Sequence, residues 1–293
     1  MINIGHNTRT MTIKHLICLC TTLLLLSESC IAVERQYRDL PATEIKQITV
    51  QQKQQSVLVR SWQGTKKLGA VILLPASGQS ADHPGLISFV RRHINPLGWA
   101  SISLTPQDAG KQPNFATSVN EVNKAGTKQL SHPNNQAMPR YSEEEQKQVN
   151  ETQEAFIVET FNQLDAIGEP FPGKRVLITL DDTAGHIIDL LANRKVPQPD
   201  ILVLINPYRP TEVQNDNLAL QLAKLDVPVL DIHSPDANQR ALENLSERIA
   251  QTAKHRPYHY SHRKVMLNLD TPSAWQDCLD LIEGFAYRVM KKG

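Results

Sequence analysis

His255, His259 and His262 fall at spacings that one helical face accommodates, and three imidazoles so placed are a familiar way to hold zinc. Pro257 interrupts any helix through them, and Asp270 would have to fold back to complete the set. The helical His-Glu-x-x-His pattern of a zinc hydrolase is absent, so no metal is expected. The chain also lacks Gly-x-Gly-x-x-Gly and Walker loops, which leaves no phosphate cradle for a nucleotide, and no cofactor is expected. Cys278 lies in the helical-looking stretch Ala274-Trp275-Gln276-Asp277-Cys278-Leu279, where an unpaired cysteine behaves as a small buried hydrophobe rather than as a reactive thiol.

Charge narrows the partners. With 31 Lys and Arg against 30 Asp and Glu, the 293-residue chain carries a formal net charge of +1. It therefore offers no long-range field for a phosphate backbone or an anionic membrane, and nucleic acid is not an expected partner.

The elements that must position any site alternate after a β-rich start. Thr43 to Val50 and Ser56 to Trp62 suit an antiparallel hairpin at a sheet edge, joined by the polar run Gln51 to Gln55. Ala70 to Leu74 is a continuous apolar run of the kind found in strands covered on both faces, stopped by Pro75 and by Ser77-Gly78. Leu86, Phe89, Val90, Ile94 and Leu97 follow at helical spacing, and Gly98 ends that helix before a strand at Trp99 to Leu104. This strand-helix-strand unit predicts a mainly parallel sheet. From Pro106 to Arg140 the periodicity dissolves into an irregular insertion, read as a lid. A long helix over Glu143 to Ile167, capped by Ser142, comes next. Strands are predicted at Val176 to Leu180, Ile201 to Ile205, Val229 to Ile232 and Tyr260 to Leu269, with helices at His186 to Asn193, Leu218 to Leu225 and Ser273 to Lys292. The alternation predicts an α/β fold with three layers, α/β/α, in one domain from residue 33 to 293.

The N-terminus has the layout of a signal peptide. Arg9 and Lys14 precede the apolar run Leu16 to Leu26, and small residues near Cys30-Ile31-Ala32 suit cleavage after Ala32. The run is shorter than the roughly 18 residues a spanning helix needs, so a stable transmembrane anchor is not expected. The expected location is the periplasm or the exterior. The alternative is a membrane-attached lipoprotein acylated on Cys30, against which Ser27 and Glu28 stand where such signals usually differ. Cys18, Cys20 and Cys30 lie in the presequence, so the mature chain would keep only Cys278 and could form no internal disulfide.

The order of elements resembles the α/β-hydrolase fold. The pieces Gly69-Ala70-Val71-Ile72-Leu73-Leu74-Pro75, Leu97-Gly98-Trp99-Ala100, Leu202-Val203-Leu204-Ile205-Asn206-Pro207 and Val227-Pro228-Val229-Leu230-Asp231-Ile232 resemble an exported bacterial family within that superfamily, domain of unknown function 3530. The resemblance implies a mainly parallel sheet of the α/β-hydrolase type and a nucleophile on the turn after the central strand, where active members carry Gly-x-Ser-x-Gly.

Here that turn reads Asp181-Asp182-Thr183-Ala184-Gly185. Only the last glycine matches, which makes Thr183 the nucleophile candidate and, on a purely structural reading, a helix cap. Ser80, in the turn Ala76-Ser77-Gly78-Gln79-Ser80, is the alternative nucleophile, and the amides of that turn are candidates for an oxyanion hole. The triad acid would be Asp236, or Asp231, unless Asp231 pairs with a nearby donor and Asp236 caps the following helix. No histidine follows the last strand in Asn268-Leu269-Asp270-Thr271-Pro272, so the base would have to be His262, with His259 and His186 as alternatives.

Two functions follow from this reading. The first is an α/β-hydrolase-like protein of the envelope that does not catalyse and binds a small molecule or an envelope protein. The second is a divergent hydrolase of ester or related acyl bonds with a threonine or serine nucleophile.

Overall fold

The computed structural model describes residues 37–109 and 141–292. The presequence with Cys30 lies outside the described residues, as does the expected insertion apart from Pro106 to Ala109.

Eight strands form one sheet in the order β1-β2-β4-β3-β5-β6-β7-β8. They are β1 (Ile45–Val50), β2 (Lys53–Arg60), β3 (Gly69–Leu74), β4 (Trp99–Leu104), β5 (Lys174–Leu180), β6 (Ile201–Ile205), β7 (Val229–His233) and β8 (Tyr260–Lys264). The hairpin β1-β2 and the β2-β4 pair are antiparallel, and every later pair is parallel. All residues of β3, β4 and β6 are buried, as befits apolar strands covered on both faces.

The hairpin link is shorter than its polar run suggested. Val50 pairs with Lys53, so only Gln51 and Gln52 make the turn, both at positive φ (49° and 61°), the geometry whose twist matches two antiparallel strands.

One face of the sheet packs on α2 (Glu143–Phe161), α3 (Leu164–Gly168), α4 (Asp181–Ala192) and α5 (Glu212–Ala223), with Ile157, Phe161, Ile187, Leu191, Leu218 and Leu222 in its core. The other face packs on α1 (Leu86–His93) and α8 (Pro272–Lys292) through Leu86, Val90, Cys278, Ile282 and Phe285. Each such fully buried aliphatic side chain stabilises the fold by about 1.5–3 kcal/mol relative to exposure. Two helices, α6 (Gln239–Glu243) and α7 (Leu245–His255), lie between β7 and β8 in the chain.

Among the elements that depart from their predicted bounds, three do so for plain local reasons, and the helix expected from His186 begins earlier, at Asp181. The helix expected through Ile167 divides at Asn162 and Gln163, where the Gln163 N–H bonds the Thr160 carbonyl at 3.1 Å, a tighter turn than the α-helix makes. Helix α5 starts earlier than expected because Thr211 caps it, accepting from the Gln214 N–H. Strand β8 stops at Lys264, since the Val265 N–H takes the carbonyl of His233, the last residue of β7, and no partner strand continues.

A buried ion pair ties α7 to the end of the sheet. Arg248 and Asp231 are both fully buried, with Nε 3.0 Å from Oδ2. Arg248 also donates to the Ala241 carbonyl at 3.1 Å and to Asn244 Oδ1, and the Tyr260 hydroxyl donates to Asp231 Oδ2 at 2.7 Å. Removing one partner of such a pair leaves an uncompensated buried charge, so Arg248→Ala is expected to cost about 3–5 kcal/mol in urea denaturation. A loss under 1 kcal/mol would show that this pair is not what anchors α7.

Candidate functional site

The chain runs β3, then β4 to one side, then β5 to the other, so the sheet's topological switch point lies between β3 and β5. In open α/β sheets, ligands bind outside the carboxyl ends of the strands at such a point. Three segments meet there: the loop after β3, the loop after β4, and the junction of β5 with α4.

That junction is an elbow centred on Asp181. Its φ of 52° is in the left-handed region, which costs an L-residue energy and which aspartate tolerates better than most. Helix α4 can lie close under the loop after β6 because Gly185 has no side chain: an added Cβ would stand 2.0 Å from the Tyr208 carbonyl oxygen. The Tyr208 N–H in turn donates to the Asp181 carbonyl at 3.3 Å.

The elbow residue is therefore Asp181, not Thr183. Thr183 is fully buried in the first turn of α4, where its Oγ1 accepts from Gln107 Nε2 at 2.9 Å. It does not cap the helix either, since the cap position is Leu180. Reading the motif in the observed register places threonine at both flanking small-residue positions, Thr179 and Thr183, around a carboxylate.

Internal acceptors take the amides of the loop after β3 that the sequence offers as an oxyanion hole. The Ala76 N–H donates to Gln79 Oε1 at 3.2 Å, Ser77 N–H to Asp182 Oδ1 at 3.2 Å, and Gly78 N–H to the Gln107 carbonyl at 2.8 Å. Ser80 lines a separate depression of about 590 Å³ beside Tyr37, Asp82 and Arg92. Its carbonyl accepts from the His83 N–H.

The other candidates are placed elsewhere. Asp231 is committed to Arg248 and Tyr260 inside the protein. Asp236 reaches the loop after β8, where Oδ2 accepts from the Leu269 N–H at 2.9 Å; the cap of α6 is Asn238, accepting from the Arg240 N–H at 3.0 Å. His262 sits within β8, opposite Asp231, with its Nε2 2.8 Å from His233 Nδ1. Three strand spacings, about 14 Å, separate β8 from β5, so His262 has no path to a proton on the elbow. His259 precedes β8, at the end of the sheet opposite the elbow, and its carbonyl accepts from the Val229 N–H. His255 ends α7.

His186 is fully buried, and both ring nitrogens are engaged. Nε2 lies 3.1 Å from Gln153 Oε1, and Arg209 Nη1 donates to Nδ1, which holds the ring in its Nε2–H form. Burial above all lowers its pKa. Glu154 completes this network, 3.2 Å from Arg209 Nη2 and 3.3 Å from Lys195 Nζ. Burial alone would raise the Glu154 carboxyl, but His186, Arg209 and Lys195 outweigh it and pull the pKa down to about 2.

Asp181 has the opposite environment. Burial, then the negative charges of Asp182 and Asp236, push its carboxyl up to about 7, and no donor among the described residues hydrogen-bonds it. The Tyr208 phenol is likewise raised by burial and by Asp182 and Asp181. Among the described residues no three His, Cys, Asp or Glu side chains converge to hold a metal. Cys278 is buried on α8, its thiol pushed up to about 12 chiefly by desolvation. The one sequence signal for the elbow is the Asp181-Asp182 pair directly after an apolar strand.

The eight-stranded, mostly parallel sheet with helices on both faces and a left-handed elbow after the central strand defines an α/β-hydrolase-like fold. Solved structures agree at the level of the fold. An esterase of Pyrococcus furiosus superposes with a TM-score of 0.54 at 10% identity, over 83% of this chain and 91% of that one. A serine hydrolase homologue from Coxiella burnetii gives 0.52 at 10% identity, over 83% and 97%. A sugar hydrolase from Lactococcus lactis gives 0.54 at 10% identity, over 85% and 99%. The chain belongs to the family described as "Protein of unknown function (DUF3530)", which matches residues 25–288. No curated protein matches it by sequence.

A carboxyl whose folded pKa stands above its ordinary 3.8 penalises folding once it ionises. The penalty is absent below about pH 4 and complete above about pH 7, so stability contributed by this group falls as pH rises through that window. Asp181→Asn is accordingly expected to stabilise the protein by about 2–4 kcal/mol at pH 8 and not at pH 4, read from denaturation midpoints. Equal stability of the two proteins at pH 8 would contradict the electrostatic account of the elbow.

Proposed function

We propose that this chain is an exported α/β-hydrolase-like protein that does not hydrolyse acyl bonds and uses the carboxyl edge of its sheet to bind a small molecule or an envelope protein. The observation that carries this reading is the elbow itself. A carboxylate, Asp181, stands where a hydroxyl would attack, while Asp182 and Gln79 occupy the neighbouring amides. Acyl transfer draws its rate from a nucleophile with its base and from donors aimed at the developing oxyanion, and removing one such donor alone costs about 10²–10³ in rate. The loop after β8, where a base would reach back, holds Leu269 against Asp236 and contributes no imidazole.

The purified protein is expected to turn over none of a panel of short- and long-chain acyl esters above the buffer rate. Turnover abolished by Thr183→Ala, Ser80→Ala or His262→Ala would instead establish a divergent hydrolase and identify its nucleophile or base.

Export follows from the presequence, with cleavage after Ala32 releasing a protein that begins at Val33. N-terminal sequencing of the protein from the periplasmic fraction is expected to start at Val33. Membrane-bound protein labelled by palmitate through Cys30 would replace the soluble form with a lipoprotein.

A further inference from the structure

We infer that the hydrogen-bonded pair His233 and His262 is an acid-operated latch between β7 and the edge strand β8, and that β8 comes away from β7 beside the pair when both rings carry an extra proton.

The geometry follows from alternation along two paired strands. His262 lies opposite Asp231 in register and His233 stands two residues beyond Asp231, so both rings are on the face of the sheet that meets α7. Their planes are 6° apart, and His262 Nε2 lies 2.8 Å from His233 Nδ1. Two neutral imidazoles hold a single N–H in that gap. One added proton can sit on an outer ring nitrogen and leave the bond intact. A second makes both facing nitrogens donors, so the hydrogen bond gives way to repulsion between two cations.

The neighbours do not absorb that charge. Asp231 of β7 acts on both rings, but it is already paired with Arg248 of α7, whose own charge opposes protonation; on β8, Lys264 does the same at His233 and Arg263 at His262. Burial above all holds both rings below their ordinary 6.5. A depressed pKa favours the closed pair above about pH 6.5, and that preference is lost as pH falls further, because the opened strand takes up the protons the closed pair refuses. Little else holds β8 here. Its single partner strand is β7, and none of its residues is fully buried. The Tyr260 hydroxyl on Asp231 pins one end, and buried Val265, whose N–H donates to the His233 carbonyl, pins the other. His233 is the last residue of β7 and leads into the loop that carries Asp236, so the latch sits where a pH change reaches the carboxyl edge.

The test is amide hydrogen exchange of the whole protein, followed residue by residue by NMR at about pH 7.5 and pH 5 and corrected for the intrinsic rate. Protection of residues 261–265 is expected to fall about tenfold or more at the lower pH, since one unit of pKa displacement is a factor of ten, while that of β4 and β6 changes less. His262→Gln is expected to keep its protection, because its amide turns either Nε2 or Oε1 toward His233 Nδ1 and so meets both protonation states of that ring. In the parent the two rings are expected to titrate in steps about one unit or more apart, a measurement that stands even where the variant fails to fold. Unchanged protection of residues 261–265, an equal loss throughout the sheet, the same loss in folded His262→Gln, or two rings titrating independently near their ordinary value would each overturn the latch.

Discussion

Within a single residue, the backbone at Asp181 must turn from a strand buried on both faces into a helix that lies back across the sheet. Only a left-handed conformation does this, and an L-residue holds it at a cost on the order of 1–3 kcal/mol. The surroundings keep it there. Tyr208 bonds the Asp181 carbonyl, and the loop carrying Tyr208 crosses α4 at Gly185, where even a methyl group would collide with backbone. On the other side, Asp182 grips the amide of Ser77, and Gln107 joins Ser77 to Thr183. Three loops from three strands are thus locked to one strained turn, and the geometry of the whole carboxyl edge follows from it.

That strain coincides with unfavourable electrostatics. Glu154 shows what this protein does with a carboxylate it keeps for structure: two cations and a buried histidine surround it, and its pKa falls to about 2. Asp231 is treated alike, enclosed by Arg248 and Tyr260. Asp181, half-buried, receives neither a cation nor a donor among the described residues, only desolvation and two further carboxylates. Among the described residues the contrast is internal to one molecule, so a general tolerance of buried acids does not explain it. Sites that act on something outside the protein are where strain and perturbed ionisation tend to collect, because there the compensating partner arrives from outside.

Most of the scaffold was legible because it is written in long apolar runs. Ala70 to Leu74, Trp99 to Leu104 and Ile201 to Ile205 announce inner strands by continuous hydrophobicity, whereas the helix expected to run to Gly98 stops at His93, and Gly98, at a left-handed φ of 100°, ends the short 3-10 turn Asn95–Leu97 that leads into β4. The elbow was harder for a reason of register. In sequence, Gly185 is the one residue that matches a Gly-x-Ser-x-Gly pattern, and aligning on it places Thr183 at the apex. In the structure Gly185 serves the crossing of the Tyr208 loop, a contact with residues more than twenty positions away that no local pattern reveals. The apex falls two residues earlier, at the end of β5, and a strand end is the feature that sequence resolves least well.

The histidines and the late aspartates teach a related point. Their positions in the chain, near and after the last strands, are those a triad would use, yet each is consumed by a neighbour across the sheet: His262 by His233, Asp231 by Arg248, Asp236 by the backbone of Leu269. Arg248 and Leu269 become neighbours of these aspartates only once β7, β8 and α7 have packed, so the pairing cannot be read from spacing. It has a functional consequence at the edge itself. With Asp236 fastened to the Leu269 loop, the segment that would swing a base over the elbow is instead held by the residue that would have oriented that base. The same contact places a second negative charge near Asp181. On the proposed reading, the contact that keeps a base away from the elbow is therefore also the one that adds negative charge beside it.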